Sequence, residues 1–415
     1  MKWILIGAGS RGMTYGQCAR NLGVEIAAVA ELRSDRLVRA GDVLQVPQEM
    51  RFSDARQLLS LGKIADAAIL CTLDRDHFGH VMQALDCGYD ILLEKPISPD
   101  PRECIAIEEK ANALGRKITV CHVLRYAPFF MELKRILDSG ELGKIVAIKH
   151  AENIGNFHMA HSFVRGNWRN DAMSSPIILQ KSCHDLDILL WLTGASCKRV
   201  AAFGGLHYFR PENAPAGAAD RCLDCPHTGT CRFDAWQAYA PMLGQWPTDV
   251  VCLEQTEEAL KEALRTGPYG RCVFRCDNNV CDHMSVLMDF ESGVTATFSL
   301  TAQTSDIHRN IHIMCENGEI EADDLAGTIT VTHFRRNQAE SPRSRTLTVG
   351  SRLTGHGGGD AGITEDFAAS LQSGSEESRS SISRSVESHL MACAIEHSRL
   401  TGQVVEMDQY RKSLT

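Results

Sequence analysis

Residues Ile4 to Glu31 read ILIGAGSRGMTYGQCARNLGVEIAAVAE, and the order of their parts decides the fold. An apolar run, Trp3–Ile6, stops at GAGSRG, which sets Gly7, Gly9 and Gly12 in a Gly-x-Gly-x-x-Gly pattern around Ser10 and Arg11. A helical stretch with Cys18, Ala19 and Leu22 follows, then Gly23, then a second apolar run, Val24–Ala30, that ends on Glu31. Gly7 permits the tight turn, Gly9 lets backbone approach a pyrophosphate, and Gly12 lets the helix pack close to the strand. The helix N-terminus then presents free N–H groups to the phosphates. Glu31 stands nineteen residues past Gly12, where a carboxylate accepts hydrogen bonds from ribose hydroxyls. Its charge repels a 2′-phosphate, so the pattern favours NAD over NADP. Arg33, two residues on, is the group that would bind such a phosphate if it swung over.

The whole chain bounds what such a site can serve. Its 415 residues imply two domains, and 44% hydrophobic content suits a soluble globular protein with ample core. A net charge of −9 argues against a nucleic-acid or anionic-membrane partner. No apolar run approaches the ~20 residues of a membrane span. Met1-Lys2-Trp3 leads straight into a core strand, which leaves no room for a signal peptide and points to the cytoplasm. Most of the sixteen cysteines are scattered singly in apolar surroundings, as for Cys18, Cys71, Cys87, Cys121 and Cys315. That distribution suits buried thiols in a reducing compartment.

After Glu31, helical patterns (Ser34–Leu44, Asp54–Ser60, Asp74–Gly88, Ser98–Gly115) alternate with buried apolar strands (Ala67–Thr72, Asp90–Pro96). KITVCHVLRY, Lys117–Tyr126, reads as a sixth strand. This alternation predicts an α/β protein opening on a doubly wound parallel sheet, with ligands at the carboxyl ends of its strands. Cys71, Thr72, Glu94, Lys95 and His122 all fall there, which makes them candidate cofactor contacts. Glu94-Lys95-Pro96 stands out, because a lysine directly after a buried strand is not on a solvated face. Pro96 fixes the local backbone and helps to aim the side chain. Lys95 beside a substrate hydroxyl would hydrogen-bond the oxygen and stabilise charge as hydride leaves carbon; a structural pairing with Glu94 is the alternative.

GAGSRG, then Cys71-Thr72-Leu73-Asp74-x-x-His77, then Glu94-Lys95-Pro96 resemble the glucose–fructose oxidoreductase/inositol dehydrogenase (Gfo/Idh/MocA) family. The resemblance implies a Rossmann domain, residues 1–124, that holds NAD(P) and includes His77 among its cofactor residues. It implies a C-terminal domain, residues 125–415, with a large, mostly antiparallel sheet for substrate binding and oligomerisation. Members typically oxidise or reduce a sugar or cyclitol carbon, using the Glu-Lys-Pro lysine. The outer face of their second sheet often mediates dimerisation, so a homodimer or homotetramer is expected.

In the second half, NIGNFHMAHSFVRGNWRN (Asn153–Asn170) is dense in polar and aromatic groups without a regular period. His158, His161, Arg165 and Trp168 suit a polyhydroxylated substrate, with donors for hydroxyls or a carboxylate and an aromatic face for a ring. Arg125 and Tyr126 join them as candidate substrate contacts. In SSPIILQKSCHDLDILLWLTG (Ser174–Gly194) an apolar helix face ends at Gly194. His184 and Asp187 lie three apart on it, so Asp187 is expected to orient His184 as general acid/base. The resembling family places an aspartate four residues before that histidine. Gln180 stands there instead, with Lys181 beside it as the candidate replacement. Asp277, Asn278, His283, His356 and Asp360 are further pocket candidates. SGSEESRSSISRS (Ser373–Ser385) reads as the cap of a helix starting near Ile382.

The segment 204–270 reads as an insertion. Cys222-x-x-Cys225 and Cys231 give three thiols in a Gly/Pro/Asp-rich loop, and Cys272, Cys276 or His227 supplies a fourth donor. A structural zinc on Cys222, Cys225, Cys231 and Cys272 is the expectation; free thiols or a disulfide are the alternatives. These cysteines resemble those of a bacterial subgroup of the family.

The sequence therefore reads as an NAD-dependent oxidoreductase acting on a secondary hydroxyl or ketone of a sugar, sugar derivative or cyclitol, with Lys95, His184 and Lys181 as its catalytic groups. One alternative is a glycoside hydrolase working by transient oxidation and elimination, for which Lys181, His161 and Tyr126 would serve as extra bases. Another is a non-catalytic NAD-sensing protein, which the dense basic and aromatic loop disfavours.

Overall fold

A computed structural model describes residues 1–350, 356–373 and 378–414. The first sheet is built from β1 (Lys2–Ile6), β2 (Glu25–Ala30), β3 (Arg51–Phe52), β4 (Ala67–Leu70), β5 (Asp90–Leu93) and β6 (Ile118–Val120). All its pairings are parallel, in the order β3-β2-β1-β4-β5-β6. Helices cover both faces, so central strands are apolar throughout: Trp3 to Ile6 and Ala67 to Leu70 are all buried. The order reverses between β1 and β4, and that is where GAGSRG lies. β3 is only two residues long, with no apolar run to announce it. β6 stops at Val120 rather than continuing to Tyr126, and Val123–Tyr126 form one 3-10 turn. The turn carries Arg125 to a buried carboxylate, Asp187, with contacts of 2.6 and 2.7 Å.

The second sheet has nine strands: β7 (Ile145–Asn153), β8 (Cys197–Gly205), β9 (His283–Phe290), β10 (Thr295–Thr301), β11 (His308–Cys315), β12 (Gly318–Asp323), β13 (Thr328–His333), β14 (Arg343–Thr348) and β15 (Val405–Glu406). Their order is β14-β13-β12-β11-β7-β10-β9-β8-β15, and only β7 with β10 is parallel. β9 and β10 alternate buried and exposed residues, as a sheet covered on one face requires. Gly293 turns between them with φ +84°. The helix Cys183–Thr193 and the helix Ile382–Thr401 belong to the packed side; the latter buries Val386, Leu390 and Ala394, and starts where the serine-rich stretch predicts. Phe203 and Leu287 project from the other face, 71% and 59% exposed.

The chain returns to the first sheet through the helix Gly359–Ser373. Phe367 meets Trp3 edge to face at 5.2 Å, and Lys117 Nζ donates to Ser370 O at 2.6 Å. Between Gly205 and His283 one long connection makes a small core of its own from Cys222, Ala235, Tyr239, Leu260 and Leu264. Among the described residues no helix is long and apolar enough to cross a membrane.

Arg125 and Asp187 are almost fully buried, 5% and 1% exposed, so each is the other's counter-charge. Asp187→Asn leaves the guanidinium without one and should lower the unfolding free energy by about 3–5 kcal/mol, read as a shift of the urea midpoint. An unshifted midpoint would remove this pair from the fold's supports.

Candidate active site

Three glycines shape the amino-terminal crevice. Gly7 has φ +87°, and a Cβ there would lie 2.5 Å from Cys71 O. A Cβ on Gly12 would sit 1.9 Å from Gly7 O, so helix and strand could not approach as they do. Gly9 precedes the helix Ser10–Asn21, whose N-terminus no side chain caps. A Cβ on Gly9 would meet only Arg36 Nη1, at 3.8 Å, so the space above these N–H groups is open. Glu31 accepts from Ala8 N at 2.7 Å and Arg33 N at 3.0 Å, which fixes a carboxylate beside the loop. Arg33 turns back to Asp35, at 2.5 and 3.1 Å, away from a 2′-phosphate. Open donors over a glycine cradle and an acid at the second strand fit NAD.

Other expected cofactor contacts are engaged within the protein. The Arg11 guanidinium binds Glu94 at 2.7 Å, Asp360 at 2.6 and 3.1 Å, and the Tyr15 hydroxyl, so it is no phosphate donor. His77 is fully buried, its ring nitrogens against Pro96 O at 2.7 Å and Thr72 O at 3.1 Å; it pins the loops after β4 and β5 together. His122 is likewise buried and lies edge to face with His184 and His389, at 5.7 and 5.5 Å. Cys71 and Thr72 stay half-exposed at the crevice.

Lys95 leaves the end of β5 and donates through Nζ to Gln180 O at 2.6 Å. Glu94 does not pair with that ammonium; its Oε2 accepts from Lys95 N at 2.5 Å. His184 opens the helix Cys183–Thr193 and makes no hydrogen bond among the described residues, and its Nδ1 is buried without a partner. Burial, then the Lys95 charge and the neighbouring His122 and His356 rings, push His184 well below the ordinary imidazole range. His158 has an unpartnered Nδ1 too, and burial followed by Lys181 pushes it down. Lys181 pairs with the fully buried Glu152 at 3.1 Å; Glu152 also meets Arg309 at 2.5 Å, and Arg309 meets Asp185 at 2.7 Å. His150 Nε2 completes this chain, 2.8 Å from Asp185. The sequence reading misses Glu152, Asp185, His150 and Arg309, because only the sheet brings β7 and β11 beside that helix.

Several expected contacts are corrected. Asp187 does not orient His184: Arg125 takes both its oxygens, and neither residue is free for substrate. The Tyr126 hydroxyl is held by Asp366, Ser378 and Ser380 at 2.9–3.1 Å, and burial raises its pKa, so it is neither base nor substrate contact. Arg165 is buried and spends its donors on Arg271 O, Phe233 O and Cys222 Sγ, at 2.8, 2.7 and 3.3 Å. Trp168 packs on Phe163. His161 bonds Tyr239 at 3.0 Å and stacks on Tyr269 at 4.8 Å. Asp277 pairs with Arg169 and Arg271, Asn278 donates to Phe209 O at 3.2 Å, and His283 lies against Asp282. Asp360 and His356 do join the Arg11 cluster, and the His356 ring lies 6.1 Å from His184.

Cys222, Cys225, Cys231 and Cys272 line one small cavity of about 20 Å³. Among the described residues, however, no group of three or more His, Cys, Asp or Glu side chains is placed to hold a metal ion. The zinc expectation is therefore not supported. The sixteen cysteines are free thiols, which also sets aside a disulfide.

Comparison with known proteins agrees with this geometry. Residues 1–122 match the oxidoreductase family with an NAD-binding Rossmann fold, and residues 130–321 match the GFO/IDH/MocA C-terminal domain. A Bacillus subtilis protein named as an oxidoreductase, YteT, is 22% identical over 73% of this chain and 72% of its own. Inositol 2-dehydrogenase 4 of Saccharopolyspora erythraea is 27% identical over 52% of this chain and 60% of its own. Two solved structures share the fold. An Agrobacterium radiobacter oxidoreductase in complex with NAD+, L-tartaric acid and magnesium has 15% identity, a TM-score of 0.71 and 99% coverage of both chains. UDP-N-acetylglucosamine 3-dehydrogenase from Acidithiobacillus ferrooxidans has 16% identity and a TM-score of 0.65, with 96% of this chain and 97% of that one covered.

Burial also sets a pH dependence. His161 and His389 are pushed down to about 3, chiefly by desolvation. Above the ordinary imidazole value both states are neutral and stability is complete. Below it the unfolded chain takes up protons that the native rings refuse, so stability falls by about 1.4 kcal/mol per pH unit per ring. The two rings together should remove about 3 kcal/mol between pH 6.5 and 5, measured by urea unfolding across that range; a flat profile contradicts the burial argument.

Proposed function

Because the chain belongs to the Gfo/Idh/MocA oxidoreductase family, whose reactions are NAD(P)-dependent and act on CH–OH groups, we propose that it oxidises or reduces a secondary hydroxyl of a sugar, sugar derivative or cyclitol with NAD. The observation that carries this is the placement of an ammonium, Lys95, and a neutral imidazole, His184, at the carboxyl edge of the parallel sheet. Gly7, Gly9, Gly12 and Glu31 would hold the nucleotide. NAD bound there supplies the acceptor for the electron pair of the C–H bond. Lys95 then donates a hydrogen bond to the substrate oxygen and stabilises the charge that grows on it. His184, kept neutral by burial, accepts the hydroxyl proton. Lys181, fixed by Glu152, borders the same pocket.

The redox glycosidase alternative is weakened, since Tyr126 and His161, two of its extra bases, are engaged elsewhere. Free thiols throughout suit a reducing compartment, and we place the protein in the cytoplasm. We also read the outer face of the second sheet as a surface for a second copy of this chain. Phe203 and Leu287 lie on adjacent strands there, exposed to a degree unusual for such apolar side chains.

Lys95→Ala should lower net NADH formation by about 10²–10⁴-fold while calorimetry still finds NAD bound; turnover at the native rate excludes Lys95 from the chemistry. Phe203→Asp with Leu287→Asp should yield a monomer in sedimentation velocity, and a dimer that survives both charges places the interface elsewhere.

A further inference from the structure

The reacting pocket has an excess of hydrogen-bond donors. An ammonium has three N–H donors and no acceptor, whereas a carboxylate only accepts. Lys95 Nζ has one protein acceptor among the described residues, Gln180 O, and Lys181 Nζ has one, Glu152. Each therefore keeps N–H groups without a protein partner. Lys181 is 15% exposed, while Glu152 behind it is sealed.

The carboxylates around them are committed. Glu94 accepts from Arg11 and Lys95 N. Asp360 is taken by Arg11 and His356. Glu152 is ion-paired with Lys181 and Arg309 and fully buried, so its oxygens, which make no hydrogen bond, are out of a substrate's reach, and Asp185 lies between Arg309 and His150. Lys95 Nζ lies 2.6 Å from the carbonyl of Gln180, the residue that precedes Lys181, so both ammoniums belong to one stretch of main chain. A neutral polyol needs acceptors for its hydroxyl protons as well as donors for its oxygens. Such a wall suits a substrate that brings its own negative oxygens, and a charge-assisted hydrogen bond to them is about twice as strong as a neutral one.

We propose that the substrate is a sugar acid and that Lys181 determines specificity by binding its carboxylate. This rests on the reading of the protein as a sugar oxidoreductase and names the substrate class of that same site. Lys181 reaches the carboxylate with the N–H groups that Glu152 leaves, while Lys95 and His184 address the hydroxyl that reacts.

The test is calorimetric titration of the protein saturated with NADH, so that oxidation cannot proceed. The probes are three matched pairs: D-glucuronate with D-glucose, D-galacturonate with D-galactose, and D-gluconate with D-sorbitol. In at least one pair the acid should bind about tenfold tighter or more, and Lys181→Met should bring that ratio to about one while Lys181→Arg preserves it. If Lys181→Met does not fold, salt titration of the native protein serves instead: affinity for the acid should fall with ionic strength while that for its neutral partner holds. Equal or better binding of the neutral member in every pair, no binding of any acid, or discrimination that survives Lys181→Met overturns the proposal. The two readings fail separately. Selective acid binding without NAD reduction when NAD replaces NADH defeats the oxidoreductase reading alone. Oxidation of neutral sugars without preference for acids defeats the specificity inference alone.

Discussion

The guanidinium of Arg11 joins three stretches that are far apart in the chain. It leaves the first turn of the glycine-loop helix, grips Glu94 at the end of β5, and grips Asp360 on the helix that returns from the second domain. Asp360 is 1% exposed and Glu94 8%. Removing charges from water at such depth is costly, and each group is tolerable only while its partner stays in place. Burial alone would raise Asp360, yet the hydrogen bonds from His356 and Arg11 outweigh it and hold the carboxyl well below its usual range. The consequence reaches the chemistry through Glu94, whose second oxygen accepts the Lys95 backbone N–H. The nucleotide loop, the lysine and the closing helix are thus registered against one another by a single side chain.

The same exclusion of water acts oppositely on unpaired bases. His122, His158, His184 and His389 are all driven toward the neutral form, because the cost of burying a charged ring outweighs every other influence, including the Asp187 carboxylate near His122 and His389. For His389 the hydrogen bonds define the tautomer: Nδ1–H donates to Ser385 O at 2.8 Å and Nε2 accepts from Ile97 N at 2.9 Å. His184 has no such assignment, since its buried Nδ1 has no hydrogen-bond partner among the described residues. Burial thus keeps these rings neutral, while hydrogen-bonded cations hold Asp185, Asp187 and Asp360 in the charged form.

What the sequence discloses follows from distance along the chain. GAGSRG, the apolar runs and Glu31 lie within one βαβ unit, so local period and glycine geometry suffice to read them, and Lys95 is legible because an apolar strand delivers it. Partners many residues apart are invisible. Asp187 lies one helical turn from His184, and spacing alone puts the two together; Arg125, sixty-two residues earlier, captures the carboxylate instead. Arg165 and Tyr126 are similarly claimed, by the carbonyl of Phe233 and by Asp366. Polar side chains in an aperiodic loop look like ligand contacts, whereas burial makes them anchors whenever a backbone carbonyl is within reach. Glu152 and Arg309 show the converse: they sit in strands whose alternation announces a sheet, and nothing local signals that their inward positions carry charge.

The substitution of Gln180 for an acid shows how the site keeps its geometry while changing its chemistry. The main chain holds Lys95 at this position, with the carbonyl of Gln180 accepting from Lys95 Nζ. A carbonyl carries no full charge, so the lysine is positioned without being neutralised. The buried carboxylate nearby is Glu152 on β7, which faces Lys181 and Arg309 rather than the imidazole. On the proposed reading, a substrate meets Lys95 and Lys181 beside the His184 ring, with the nearest buried carboxylate set behind Lys181.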